Sequence, residues 1–138
     1  MLRLIIFFKP YSTYLLAAWM TAVITVSSIP SLPTLAIETE RSVIRLDYLI
    51  HFIEYGIMLV LALMAFSDSL FGIQTRKFAI VTAGIVLFAI IDEFHQKLIP
   101  GRSFNVKDIL SNVAGIMAGV IFFIVLSGLI RRNNQSVN

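Results

Sequence analysis

Four long apolar segments alternate with short polar stretches along the chain, and this pattern predicts its elements. The segments cover about residues 11–29, 46–66, 78–98 and 109–130. Each approaches the roughly 20 residues that a helix needs to cross the hydrocarbon core of a bilayer. Alternation of the strand kind is absent, and a membrane β-barrel needs more strands than this length supplies. The pattern therefore predicts an all-α membrane protein, with four transmembrane helices in an antiparallel bundle.

Composition supports a membrane protein over a soluble one. Of the 138 residues, 58% are hydrophobic and 14% are charged, and the mean hydropathy is +0.89, whereas soluble domains hold about 25% charged residues. The net charge of +3 and the pI of about 9.5 could suggest nucleic acid. However, the basic residues stand singly or in pairs at the ends of apolar segments, as in membrane proteins. We therefore expect one transmembrane domain over residues 1–138 and no nucleic-acid partner.

The first segment and the basic residues indicate how the chain lies in the membrane. The segment is longer than the apolar core of a signal peptide, and Lys9-Pro10 interrupts what precedes it, so we expect an uncleaved anchor. One side of the predicted bundle holds Arg3, Lys9, Arg76, Lys77, Arg131 and Arg132. The other side holds Arg41, Arg45, Lys97, Arg102 and Lys107. The side that holds both termini thus has six basic residues against five, which predicts that both termini are cytoplasmic. The chain has no cysteine, which excludes disulfides and thiolate sites.

Polar residues cluster where the second segment begins, where the third ends and where the fourth begins. Because helices joined by short connections run antiparallel, these three ends share one membrane surface, whichever way the protein faces. A carboxylate near the centre of a membrane helix costs roughly 2.5–3.5 kcal/mol, so these groups should point into the bundle. The residues that we predict to line a ligand-binding pocket are Asp47, His51, Glu54, Tyr55, Asp92, Glu93, Gln96, Arg102, Asp108 and Asn112.

The same stretches resemble a known family. The motifs "HFIEYG" after an Asp, "DEFHQ…PGR" and D-x-x-x-N-x-x-G-x-x-x-G, with "SSIP" at the end of the first segment, resemble the VanZ-like family of small bacterial membrane proteins. The family takes its name from a protein associated with teicoplanin resistance. The resemblance implies the bacterial cytoplasmic membrane and the cell envelope, and a link to glycopeptide antibiotics, but no reaction. The matching positions are Asp47, His51, Phe52, Tyr55, Asp92, Glu93, Gln96, Pro100, Gly101, Arg102, Asp108, Asn112, Gly115 and Gly119.

We favour the hypothesis that the pocket binds an anionic envelope component. A lipid phosphate or a lipid-linked cell-wall precursor would be held by Arg102, whose guanidinium fork suits phosphate. Five carboxylates around one or two cations oppose an anion unless protons or a metal intervene. No cofactor is expected.

Two other hypotheses stay open, and a third is disfavoured. The protein could be an enzyme on a lipid-linked substrate, with His51 or Glu93 as a general base. A catalytic metal would instead need His51, Glu54, Asp92 and His95. The polar residues could also form a purely structural network that fastens the helix ends. Proton transport is disfavoured, because the other half of the bundle offers no relay.

Three smaller predictions concern packing. Pro100-Gly101 should form a turn. Gly115 and Gly119 have the spacing that lets another helix come close, so we expect them in packing and consider an oligomer through them. Phe52 is expected in the core.

Overall fold

The computed structural model describes residues 7–30, 36–39, 42–68 and 72–135. A 3₁₀ turn precedes the first helix, and a short hairpin precedes the second. The elements are the turn Lys9–Tyr11, α1 (Ser12–Ser27), β1 (Ala36–Thr39), β2 (Ser42–Arg45), α2 (Leu46–Phe66), α3 (Thr75–Gln96) and α4 (Val106–Gln135).

The prediction of a helical membrane protein is confirmed, and the count of four spans is matched in part. Within the described residues, three helices are long and apolar enough to cross a membrane, namely Leu46–Phe66, Thr75–Gln96 and Val106–Ile130. The chain is thus a multi-pass membrane protein by length and composition of its helices. α1 has 16 residues, which is shorter than the usual span of about 20.

The connection from α1 to α2 contains a hairpin that periodicity did not predict. β1 and β2 pair antiparallel, with Ala36 opposite Arg45 and Thr39 opposite Ser42. Each strand has only four residues. A segment this short carries too few positions for alternation to be recognised among charged residues.

Contacts at the two ends of the bundle fix the directions of the helices. Ser27, which ends α1, bonds to Asp92 near the end of α3. Lys9, just before α1, donates to the carbonyls of Met64 and Ser67, where α2 ends. Hence α1 and α3 finish at one end of the bundle, which we call the polar end, and α2 finishes at the opposite end. The antiparallel order then starts both α2 and α4 at the polar end.

Glycines let α2 and α4 pack backbone against backbone. A Cβ added at Gly115 would lie 2.1 Å from the carbonyl oxygen of Phe52, and one at Gly119 would lie 2.9 Å from that of Gly56. The predicted packing role of both glycines is therefore confirmed. They face α2 of the same chain, and an oligomer through them stays a prediction that these contacts do not test.

The hydrophobic core is centred on α2 and corrects one prediction. Met58, Leu59 and Leu63 are fully buried there. Phe52 was expected in this core but is 37% exposed. Its backbone, not its ring, meets Gly115, so the ring is free to turn outward.

Candidate functional site

Asp92 joins three helices at the polar end. Its Oδ2 accepts hydrogen bonds from Ser27 Oγ at 3.0 Å, Tyr55 OH at 3.1 Å and Gln96 Nε2 at 3.1 Å. These donors belong to α1, α2 and α3, and Asp92 is only 3% exposed. Bonds to a carboxylate are roughly twice as strong as neutral ones. One oxygen thus holds the polar ends of three helices together, and we call Ser27, Tyr55, Asp92 and Gln96 the Asp92 network.

Arg102 connects this network to the end of α1. Its Nη1 donates to Gln96 Oε1 at 3.0 Å, its Nη2 to the carbonyl of Val26 at 2.9 Å and its Nε to that of Ile29 at 3.3 Å. The last carbonyls of a helix lack partners within the helix and carry partial negative charge. The guanidinium therefore caps α1, and its bonds in this part of the structure go to neutral oxygens.

The predicted turn at Pro100-Gly101 is confirmed, and it directs Arg102 back to the bundle. The Arg102 N–H donates to the carbonyl of Ile99 at 3.1 Å. Gly101 has a φ of 78°, in the left-handed region that costs a residue with a Cβ roughly 1–2 kcal/mol. Glycine at this position makes the tight reversal possible.

Glu93 joins the end of α3 to the beginning of α4. It is fully buried, and its Oε1 accepts the backbone N–H of Asn105 at 2.7 Å. Asn105 in turn accepts the N–H of Lys107 on its side-chain oxygen at 3.0 Å, as an N-cap residue does. Glu93 and Asn105 thus satisfy donors at the first turn of α4 between them.

His51 lies between two carboxylates, beyond ordinary hydrogen-bond length. Its Nδ1 is 3.9 Å from Glu54 Oε2, and its Nε2 is 4.0 Å from Asp108 Oδ2. Hydrogen bonds to nitrogen rarely exceed about 3.2 Å. The imidazole is therefore placed to balance negative charge from α2 and α4 when it is protonated.

Several buried polar atoms beside these contacts find no hydrogen-bond partner among the described residues. They include His51 Nδ1, Asp92 Oδ1, Glu93 Oε2 and both polar side-chain atoms of Asn112. We call the last four of these atoms the inner polar group. Asn112 and Glu93 are fully buried. Roughly 90% or more of buried polar groups in native proteins are partnered by protein or water. A concentration of such atoms at one end of a bundle is therefore unusual for a native protein.

The predicted site residues fall into three groups in the structure. Tyr55, Asp92, Gln96 and Arg102 form one continuous hydrogen-bond network. His51, Glu54 and Asp108 form the second set, and Asp108 is 7% exposed. The remaining predicted positions are Asp47, half-buried in the first turn of α2, and the fully buried Glu93 and Asn112.

Two residues at the polar end, Ser27 and Asn105, were not predicted as site residues from the sequence. Ser27 opens the "SSIP" motif and supplies one of the three bonds to Asp92. Asn105 directly precedes α4 and gives Glu93 its partner. An Asn just before a helix is a recognisable N-cap signal, whereas the target of the Ser27 hydroxyl has no signature in the sequence.

The metal hypothesis is not supported. Among the residues that the structure describes, no three His, Asp or Glu side chains are grouped so as to hold a metal ion. The alternative ligand set, His51, Glu54, Asp92 and His95, is therefore not assembled in the described residues. Asp92 instead accepts hydrogen bonds from Ser27, Tyr55 and Gln96.

A separate cavity of about 380 Å³ lies between α2 and α4. Its lining includes Phe52, Ile57, Val60 and Phe122, all apolar. This groove is therefore distinct from the polar pocket that the sequence predicts.

Comparison with known proteins gives one match. A family model described as VanZ/LLP1 matches residues 1–127. No curated protein and no solved structure matches the chain. The matched range includes the Asp92 network, Arg102 and the inner polar group.

Proposed function

The chain belongs to the VanZ/LLP1 family, and from this premise we propose that it binds an anionic component of the bacterial envelope at the polar end. The protein is a multi-pass protein of the cytoplasmic membrane, with four spans and both termini in the cytoplasm. A further role in the response to glycopeptide antibiotics follows from the protein for which the family is named.

The depth that α1 reaches supports a fourth span. Its 16 residues extend about 24 Å. Just before it, Lys9 reaches the end of α2 at the opposite end, and Ser27 reaches Asp92 at the polar end. α1 with its flanking turns therefore covers the same depth as the neighbouring helices.

Orientation and topology are testable by labelling, because the chain has no cysteine of its own. Single cysteines at Ser42 and Phe104 should react from outside the cell, and one at Gln74 only after permeabilisation. Labelling of Phe104 and Gln74 from the same side would contradict the four-span bundle.

The observation that carries the binding proposal is the unused capacity of Arg102. A guanidinium has five N–H donors, and the contacts to Gln96, Val26 and Ile29 use three of them. Among the residues that the structure describes, the other two donors of this half-buried cation, in the turn before α4, have no partner. A phosphate suits such a cation because its oxygens accept paired N–H groups. The carboxylates of Asp92 and Glu93 are buried, whereas Arg102 is half-buried, so a phosphate can reach the guanidinium without direct contact with either carboxylate.

The direct test is lipid binding by the purified protein. Native mass spectrometry with added phosphatidylglycerol should show binding that Arg102→Gln weakens by about tenfold or more, since a bond to a charged group contributes about 1.5–3 kcal/mol. Lys77→Gln, at the opposite end, is the matched control and should bind as wild type does. Equal binding by Arg102→Gln would remove the proposal.

The antibiotic role needs a separate test in cells. A susceptible bacterial strain that expresses the chain should need more teicoplanin for growth arrest than the same strain with an empty vector. Arg102→Gln should abolish the difference at equal membrane abundance. No difference with the wild-type chain would remove this part of the proposal and leave the lipid-binding part standing.

One observation favours a second function, a purely structural latch. Arg102 caps α1 through two backbone carbonyls and Gln96, as a helix fastener would. Arg102→Lys separates the two functions, because lysine keeps the charge but loses the planar fork. A latch predicts a lower melting temperature and unchanged cellular function, whereas a binding site predicts loss of function in protein that is still folded.

A further inference from the structure

The atoms of the inner polar group are mainly acceptors. Asp92 Oδ1, Glu93 Oε2 and Asn112 Oδ1 are three buried oxygens without a hydrogen-bond partner among the described residues. The matching donor there is the Asn112 amide nitrogen. A ligand suited to this group therefore brings donors, and a primary ammonium brings three N–H groups and no acceptor.

Charge favours the same ligand. Asp92 and Glu93 are adjacent in α3, 3% and 0% exposed. Arg102 approaches the pair through Gln96, whose amide bonds to Arg102 on its oxygen and to Asp92 on its nitrogen. A buried carboxylate is costly unless it is paired with a charge or protonated. An ammonium at the inner polar group would supply that pairing directly.

A metal ion is a poorer candidate for this position. No three acidic or histidine side chains in the described part of the chain are arranged as metal ligands. The inner polar group offers two carboxylate oxygens and one amide oxygen, which match the three N–H groups of one ammonium.

We propose that the inner polar group binds the primary ammonium of a zwitterionic lipid head group whose phosphate is held by Arg102. This inference rests on the proposed function, because Arg102 holds the anionic phosphate in both, and it names the ligand class, a phosphoethanolamine head group. A single amide side chain, that of Gln96, bridges Arg102 and Asp92. The bound ammonium also removes the electrostatic objection to an anion beside several carboxylates.

Three lipids with the same phosphate separate the possibilities. Phosphatidylethanolamine has the ammonium donors, phosphatidylcholine has the charge without N–H groups, and phosphatidylglycerol has hydroxyl groups without the charge. With matched acyl chains, native mass spectrometry should show phosphatidylethanolamine bound about tenfold more tightly than either of the others. Equal binding of all three, or a preference for either of the other two, would overturn the inference.

Three variants test which residues cause the preference for phosphatidylethanolamine. Glu93→Gln keeps an acceptor for the Asn105 N–H but removes the charge, and it should abolish the preference for phosphatidylethanolamine. Asn112→Leu removes two buried unpaired atoms and so should fold, yet it should also lose most of the preference. Thr82→Val is the matched control, because Thr82 Oγ1 is also buried without a partner among the described residues but lies about 15 Å along α3 from Asp92. A preference that persists in both Glu93→Gln and Asn112→Leu contradicts the inference.

The Arg102→Gln variant distinguishes the ammonium site from the proposed function on which it rests, phosphate binding by Arg102. If Arg102 holds the phosphate, the variant weakens the binding of all three lipids by a similar factor and leaves their ranking intact. Uniform binding of the three lipids that depends on Arg102 would keep the proposed function and reject the ammonium site. No binding of any of the three would reject both.

Discussion

The two ends of the bundle differ in how exposed their acidic side chains are. At the opposite end, Asp68 and Lys77 form an ion pair whose side chains are 51% and 48% exposed. At the polar end, Asp92 and Glu93 are buried, and their partners come from several helices and a loop. An exposed pair costs little to keep and contributes little. A buried carboxylate has to be compensated by a paired charge, by hydrogen bonds or by protonation. The acidic residues at the polar end therefore cost more free energy to bury than the exposed pair at the opposite end.

The two ends also differ in how closely α4 approaches its neighbour. Near the polar end, Gly115 lies against the backbone of α2, whereas Gly128, further along α4, has nothing within 4 Å of an added Cβ. This contrast within one helix gives the first and largest predicted effect. Gly115→Ala would bring its Cβ to 2.1 Å from the carbonyl of Phe52, so α2 and α4 must separate. We expect a loss of about 3 kcal/mol or more in the free energy of unfolding, measured by equilibrium unfolding in mixed micelles.

Gly128→Ala is the matched control for that prediction. It adds the same methyl group to the same helix in open space, and alanine is the better helix former by about 0.5–1 kcal/mol. The control should therefore be neutral or slightly stabilising. Similar losses for both substitutions would mean that the close contact of α2 with α4 is not what holds the polar end.

The second prediction compares one acidic residue from each end. Asp92→Ala leaves the donors of Ser27, Tyr55 and Gln96 without their shared acceptor, and an unsatisfied buried donor costs about 1–3 kcal/mol. We expect a loss of about 2–3 kcal/mol overall. The matched control, Asp68→Ala, should lose less than about 1 kcal/mol. Equal effects of the two substitutions, in the same unfolding assay, would contradict the contrast between the ends.

Much of this architecture could be predicted because apolar runs of membrane length are strong signals. The predicted segment 46–66 matches α2, and α3 and α4 each begin three residues earlier than predicted. The convergence of polar residues followed from antiparallel connection alone. Individual partners could not be predicted, because a guanidinium can donate to a carbonyl or to a carboxylate, and the sequence does not say which of these lies nearby. Only the fold shows that Arg102 bonds to the end of α1.

Other differences between the sequence-based predictions and the structure have similar causes. Phe52 presents its backbone carbonyl to Gly115 while its side chain is partly exposed, and the apolar pattern of one helix cannot reveal this arrangement. The ligands of the metal alternative are not grouped among the described residues, and the sequence could not show this, because spacing along a helix says which side chains share a face and not which atoms meet across helices. The inner polar group likewise combines atoms of α3 and α4, so its unpaired atoms could not be recognised in the sequence.

The third prediction tests the fastening at the opposite end. Lys9 donates to the carbonyls of Met64 and Ser67, on either side of the end of α2 at Phe66, and a cation there is favoured by the helix dipole. Burial lowers the pKa of the Lys9 ammonium, with Asp68 acting against that shift, so desolvation offsets part of the gain. Lys9→Met keeps the length of the side chain and should lose about 1 kcal/mol. A loss as large as that of Asp92→Ala would contradict the contrast.

The smallest effect should come from the exposed pair of Asp68 and Lys77. A double-mutant cycle with Asp68→Asn, Lys77→Gln and the double variant isolates the interaction of the two charges. Because both side chains are about half exposed, water and salt screen the pair, and we expect a coupling of less than about 0.5 kcal/mol that falls further in high salt. The parallel cycle with Ser27→Ala and Asp92→Asn should give a larger coupling that salt changes little, because both partners are buried. Two couplings of equal size and equal salt dependence would show that burial does not separate the two ends.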